Sequence, residues 1–374
     1  MNSKVSCVNH AALVSGYYMG KLLLKEDSLQ IPSRAYTRQA IKFPPAYVTA
    51  TAARRQRKRE SAARRRSERQ KELIAKGKYV PLNNIVYDAL QTAFECYGGS
   101  RFLLRAFLPI FEDSNVRSNI HHTNLDSLPK MPESEILDDG NLHHNQTDFT
   151  KLATVNGTQV VLPARSSFVQ QDVRKIHQLY LEKYKLIVMD PPWQNKSVCR
   201  GKCYEMLDHT ELLKIDIPHI ADLDECVLAV WVTSRPRYMT FLREQALPSW
   251  GFTFHACWYW LKLSKSGELV TPLDSTHRLP VEVLVVAYRA KDEKCEQRVR
   301  KRLGEKTRIV LSIPLRHSWK PPPETFFDNS IVSTTEKKVE LFARELRPHW
   351  TSVGNEVLKF QAVELFQPAP SENE

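Results

Sequence analysis

Between residues 155 and 366 short, nearly uninterrupted apolar runs rich in β-branched residues recur, separated by stretches of helical character. That alternation limits the available folds more than any other feature of the chain. The runs are Leu186–Met189, Val227–Val232, Val281–Tyr288 and Ile309–Ile313, with further ones at Val339–Phe342 and Val357–Phe360. The intervening helical stretches include Arg237–Leu247 and Pro323–Val332. A strand apolar on both faces has to be covered on both, so the pattern predicts an α/β fold: a mostly parallel sheet with helices on either side. In such sheets ligands bind beyond the carboxyl ends of the strands.

The rest of the chain differs in composition. Residues 1–111 are expected to form a smaller, partly helical basic module. Its centre, Arg54 to Lys78, holds twelve Lys/Arg against three Glu, with alanines and no proline. A helix polar all round has no core to bury and docks on something charged, which suits nucleic acid or nuclear import. Residues 85–93 carry apolar side chains at helical spacing. Residues 112–154 are polar and read as a linker without fixed structure, and 367–374 as a tail. With 54 Lys/Arg against 42 Asp/Glu the net charge is +12, which points to a polyanionic partner.

Several classes are disfavoured. The seven cysteines are odd in number and include no Cys-x-x-Cys pair, so reduced thiols and no metal are expected; His121, His122, His143 and His144 read as solvated. No apolar run approaches the ~20 residues of a membrane span, and Lys21 interrupts the mildly apolar stretch 11–24, which argues against a signal peptide. No G-x-G-x-x-G appears, against a dinucleotide-binding dehydrogenase.

The sharpest motif is Asp190-Pro191-Pro192-Trp193, placed directly after the strand 185–189. Its chemistry suits alkylation of an aromatic amine, whose lone pair is delocalised into the ring. A carboxylate on Asp190 and the carbonyl of Pro191 can accept the two N–H groups and draw the lone pair out. Both prolines fix φ and stiffen the loop. Trp193 is expected to offer a face on which a base stacks, worth about 1–3 kcal/mol.

In these residues the chain resembles the adenine 6-amino methyltransferases that carry the Asp-Pro-Pro-Trp signature, the MTA-seventy-like enzymes. The likeness continues through Gln194-Asn-Lys-Ser-Val198, Trp231-Val-Thr233, Pro248-Ser-Trp250, Trp258-Tyr-Trp260-Leu-Lys262, Pro272-Leu-Asp-Ser275, Lys320-Pro-Pro322, Glu340-Leu-Phe-Ala-Arg344 and Gly354-Asn-Glu-Val-Leu-Lys-Phe360. It runs from about residue 160 to 366. The order of motifs, acceptor loop before the strand at 339–344, is similar to the permuted Rossmann-type arrangement of that family.

The resemblance implies S-adenosylmethionine as cofactor, held by Asp172, Val173, Asp190, Lys320, Glu340, Arg344, Asn355 and Glu356. It assigns catalysis to Asp190, Pro191, Pro192 and Trp193. Substrate contacts are expected from Asn195, Lys196 and Ser197, which follow the loop, from the charge of Arg200, from Trp260 and Lys262, and from His277, Arg278 and Glu282 on a segment that resembles one near the acceptor base; no metal and a location in the nucleus are expected. The expected substrate is adenine in RNA, with 2′-O-methyladenosine in U2 small nuclear RNA implied; DNA adenine is the alternative. A base inside a duplex cannot reach such a loop, so the target is single-stranded or flipped out. After Arg344 the chain reads Glu-Leu-Arg-Pro-His-Trp350 and lacks the His-Asn pair that the messenger-RNA enzyme has there. A rival of another class is a non-catalytic RNA-binding scaffold, against which the intact Asp190, Lys320, Glu340 and Asn355 argue. No membrane is expected as partner. Nothing fixes the oligomeric state, and a monomer is the working expectation.

Overall fold

The computed structural model describes residues 3–31, 84–97, 128–131, 140–179, 182–194, 208–233, 235–273, 275, 279–304 and 307–369, together with six residues between 61 and 72. Apart from those six residues the basic run 54–78 lies outside the described residues, and 98–127, 132–139 and 195–207 lie wholly outside them.

The chain opens with β1 (Ser3–Cys7), α1 (His10–Gly16) and β2 (Leu22–Leu24), and α2 (Asn84–Tyr97) comes next. Then come β3 (His143–His144), β4 (Lys151–Val155), β5 (Thr158–Leu162), β6 (Ser167–Val169), β7 (Leu186–Met189) and β8 (Glu225–Val232). α3 (Pro236–Phe241) leads through a π-turn into β9 (Thr253–Lys262) and β10 (Val281–Ala290). The remainder is α4 (Glu293–Leu303), β11 (Thr307–Ser312), β12 (Lys338–Leu341), β13 (Thr351–Val353) and β14 (Phe366–Pro368).

Ten strands form one sheet in the order β1-β11-β9-β10-β8-β7-β12-β13-β6-β3. Strands β8, β7, β12, β13 and β6 are parallel neighbours, as are β1, β11 and β9. β10 runs against both of its neighbours, and β3 runs against β6. The expected mostly parallel α/β sheet is thus present. Alternation along the strands divides the core between the two faces. Ile187, Met189, Leu228 and Val230 point to one side with Tyr238, Phe241 and Trp250, whereas Leu186, Val188, Val227 and Ala229 point to the other with Val299 and Leu303 of α4.

Three expectations change. Residues 3–7 belong to the sheet, since β1 pairs in register with β11 and not with a separate N-terminal module. α1, capped by the Asn9 side chain on the Ala12 amide at 2.9 Å, buries Ala11 and Val14, and with Tyr18 just after the helix they join the core cluster of Trp319 and Phe360. The described parts of the supposed linker, 128–131 and 140–154, take part in the fold as well. The buried Asn145 amide donates to the carbonyls of Phe149, Leu162 and Pro163, so a polar residue closes this corner where composition suggested none could. Finally, Val357–Phe360 is a series of turns. The Val357, Lys359 and Phe360 amides go to the Gly354, Glu356 and Arg344 carbonyls instead of a strand ladder, and the last strand of the parallel block is Thr351–Val353.

Gly354 makes that arrangement fit. A Cβ there would stand 3.0 Å from both the amide and the carbonyl of Ala343 and 3.2 Å from the Phe342 carbonyl carbon, all of them backbone. Gly354→Ala is expected to cost roughly 1–3 kcal/mol, because backbone cannot rotate away as a side chain can. A thermal unfolding midpoint equal to that of the unsubstituted chain would contradict this packing.

Candidate active site

β7 and β12 lie side by side, Met189 opposite Leu341, but the chain leaves them in opposite directions: β8 flanks β7 on one side, β13 flanks β12 on the other. This divergence opens a crevice at their carboxyl ends, where α/β sheets bind ligands. Asp190 stands at that point, its amide bonded to the Leu341 carbonyl at 3.3 Å and its side chain buried. A narrow cleft opens there, a cavity of about 10 Å³ with room for a single water, lined among others by Asp190, Ser318, Lys320, Glu340, Phe342 and Arg344. Two of its lining residues, Phe342 (φ 59°) and Ser318 (φ 67°), adopt the left-handed backbone conformation that side chains disfavour. Strain of this kind persists where surrounding structure enforces it, commonly at functional sites.

Charges of alternating sign cross the crevice in an unbroken line. Lys262 pairs with Glu282, and Glu282 with Lys320 at 3.2 Å. Lys320 meets Asp190 at 2.9 Å, Asp190 meets Arg344 at 2.7 Å, Arg344 meets Glu356 at 3.2 Å and Glu356 meets Lys359 at 2.7 Å. Lys320 and Arg344 both bond Oδ2 of Asp190. Burial opposes the Lys320 ammonium, but the charges of Asp190 and Glu282 outweigh it and hold its pKa above the ordinary lysine value. Burial likewise opposes the Glu282 carboxylate, and Lys262 and Lys320 reverse the effect, keeping it well below the usual range.

Behind this line sits a second, fully buried group. Arg347, 2% exposed, donates to Glu340 and to Glu345, and the Trp319 indole donates to Glu345 at 2.7 Å. Burial raises Glu340 above its ordinary pKa, with Arg347 opposing. Burial and the neighbouring Glu340 lift Glu345 from 4.5 to about 7, against the pull of Arg347. His10 of α1 stands edge-on to Trp319 and is held neutral, its pKa lowered to about 3 by burial and by the Arg347 charge.

The raised Glu345 has a consequence for stability. Between 4.5 and about 7 the folded chain binds more protons than the unfolded one. Stability contributed by the protonated group is therefore full below the lower value and lost as pH rises through the upper one, by at most ~3 kcal/mol. Glu345→Gln is expected to flatten the dependence of unfolding free energy on pH across this range. A slope as steep in the variant as in the unsubstituted chain would contradict the assignment.

Of the residues singled out in the sequence, Asp190, Lys320, Glu340 and Arg344 line one pocket, and Glu282, Lys262 and Glu356 join them through ion pairs. Glu340 already has its carboxylate held by Arg347. Asp172 caps the turn after β6 and pairs with Arg174, while the Val173 side chain lies in the core; neither lines the pocket, and Asn355 is exposed beyond it. Two expectations fail for the same reason, burial. Trp193 is 8% exposed, donates its indole N–H to the Trp231 carbonyl at 2.7 Å and packs on Tyr238, so it has no free face for a base. Trp260 is 2% exposed and donates to Ser312 at 2.8 Å. The Pro191 carbonyl accepts the Trp193 amide at 2.8 Å, which leaves one of its two lone pairs for a ligand. Asn195, Lys196, Ser197, Arg200, His277 and Arg278 lie outside the described residues.

Arg347 and Glu345 belong to none of the motifs that stand out in the sequence. The signal for them was Glu340 inside an apolar strand, since a buried carboxylate requires a buried cation nearby in the fold. Among the described residues no group of three or more His, Cys, Asp or Glu could hold a metal ion, and no helix is long and apolar enough to cross a membrane. The donor set fits S-adenosylmethionine, a molecule with carboxylate, ammonium, sulfonium and ribose hydroxyls: cations (Lys320, Arg344) and anions (Asp190, Glu340) line one pocket at the sheet's switch point.

Residues 184–356 match the MT-A70 family. The chain is 40% identical over 242 residues to N(6)-adenine-specific methyltransferase METTL4 of Homo sapiens, covering 59% of this chain and 48% of that protein. It is 33% identical over 211 residues to N6-methyladenosine RNA methyltransferase MTA1 of Pyricularia oryzae (53% and 54%). To the DNA N6-methyl methyltransferase of Caenorhabditis elegans it is 33% identical over 216 residues (56% of each). The chain spans about half the length of these curated relatives.

Proposed function

We propose, for a chain that belongs to the MT-A70 family through residues 184–356, that the crevice at Asp190 transfers a methyl group to the 6-amino nitrogen of adenine in RNA. MT-A70 methyltransferases use S-adenosylmethionine. The observation that carries the reading is the placement of Asp190: a buried carboxylate at the switch point of the sheet, with Oδ2 fixed by two cations at 2.9 and 2.7 Å.

The bound cofactor supplies an electrophilic methyl on a sulfonium sulfur, with Lys320, Arg344 and Glu340 as the residues that would hold it. The chain does the rest by placement. With Oδ2 taken, Oδ1 of Asp190 accepts one amine N–H and the remaining lone pair of the Pro191 carbonyl accepts the other. The nitrogen lone pair is thereby drawn out of the ring and aimed. Lys320 and Arg344 prevent the carboxylate from rotating, so the geometry is set before the base arrives, which is where most of the rate originates. The N-methylated ammonium is acidic and sheds its proton to Asp190 or water.

Within RNA we propose 2′-O-methyladenosine of the U2 small nuclear RNA type, a nuclear location, and a target that is single-stranded or flipped out. The net charge of +12 supports a nucleic-acid partner. DNA adenine is the second reading, because the relative named for DNA is as similar as one named for RNA. Labelled methyl transfer to matched RNA and DNA oligonucleotides, with and without a 2′-O-methyl on the target ribose, tests the proposal. Incorporation into RNA, increased by the 2′-O-methyl, is expected; incorporation into DNA alone overturns the RNA assignment. A chain that binds no S-adenosylmethionine in calorimetry would be a scaffold instead.

A further inference from the structure

The far end of the acceptor loop is held by a residue that belongs to no motif. Tyr238, on α3, is completely buried, with its ring 4.7 Å from that of Trp193 at a tilt of 36°. Its hydroxyl donates to the Gln194 carbonyl at 2.8 Å and accepts from the Arg237 guanidinium, which lies 4.5 Å over the same ring. His209 meets the ring edge-on at 5.5 Å. The loop 190–194 is therefore tied at both ends. The Asp190 amide is bonded to β12 through Leu341, and the Gln194 carbonyl to α3 through Tyr238. Between them the Trp193 amide closes on Pro191 and its indole on Trp231.

A tyrosine hydroxyl as buried as this one needs an acceptor, and what matters is where that acceptor lies. Here the hydroxyl reaches across to the residue just after the tetrapeptide, 44 positions earlier in the chain. Slack at Gln194 passes through the short Trp193–Pro191 turn to the carbonyl that has to meet the amine. We infer that Tyr238 is a positioning residue for methyl transfer, anchoring the loop so that Asp190 and the Pro191 carbonyl point at the acceptor nitrogen. The inference rests on reading 190–194 as the acceptor loop.

Tyr238→Phe keeps the ring and its packing and removes the hydroxyl, which breaks the tie to Gln194 and takes from Arg237 the acceptor beside it. In the 374-residue chain kcat is expected to fall about tenfold while the KM for S-adenosylmethionine stays within about twofold, since a displacement under 1 Å away from the chemistry acts on orientation. The Trp193 amide is expected to exchange with deuterium about tenfold faster, reporting a looser loop without any turnover. A folded variant with unsubstituted exchange overturns the tie, and one with faster exchange but unchanged kcat overturns the positioning role. If the unsubstituted chain transfers no methyl to any oligonucleotide, the functional reading falls, while the exchange rates still decide whether Tyr238 holds the loop.

Discussion

If the chain acts as proposed, Asp190→Asn is expected to lower methyl transfer by roughly a thousandfold, the scale seen when a group that acts on the reacting atoms is removed. The substitution is nearly isosteric, so the loop keeps its shape. What disappears is the charge to which Lys320 and Arg344 both point and one of the two acceptor oxygens, so the single amide carbonyl left serves the cations or the amine but not both. The fold is expected to survive, because each cation retains a second acid: Glu282 for Lys320, Glu356 for Arg344. Single-turnover rates at saturating cofactor are the measurement. A loss below about tenfold would mean that the carboxylate does not touch the reacting amine.

Arg347→Met gives the largest expected loss of stability, about 3–5 kcal/mol, because it leaves two buried acids without their cation. Glu340 and Glu345 are 5% and 3% exposed and share this one guanidinium, so neither can turn to water. Proton uptake by the acids relieves part of the cost, and the deficit is therefore expected to shrink as pH falls. Adding Glu345→Gln to the Arg347→Met variant should recover part of it. Denaturant unfolding of the single and double variants decides the matter; a loss under about 1 kcal/mol, or no recovery in the double variant, would show that the buried group is already neutral in the folded chain.

The parallel block was legible because its signal is local. Leu186–Met189 and Val227–Val232 are apolar on both faces, and both are central strands. Direction was not legible: β10 reads like its neighbours, and only tertiary pairing makes it run against them. β1 was missed because Ser3-Lys-Val-Ser-Cys7 is an edge strand with a single neighbour, which needs little apolar surface. At the site, residue types announced the chemistry of Asp190 and Lys320, whereas their contact spans 130 residues of sequence and no spacing encodes it. Trp193 shows the opposite error. An indole beside a reactive loop suggests a stacking face, but its N–H found the Trp231 carbonyl and its ring found Tyr238, so it fixes the loop and leaves the base to other groups.

Mass spectrometry of nucleosides from RNA incubated with S-adenosylmethionine and the purified chain tests the central claim most directly. The account predicts an adenosine heavier by one methyl on its 6-amino nitrogen, formed by the unsubstituted chain and absent with Asp190→Asn. Methylation at any other position, or equal product from both proteins, would contradict it.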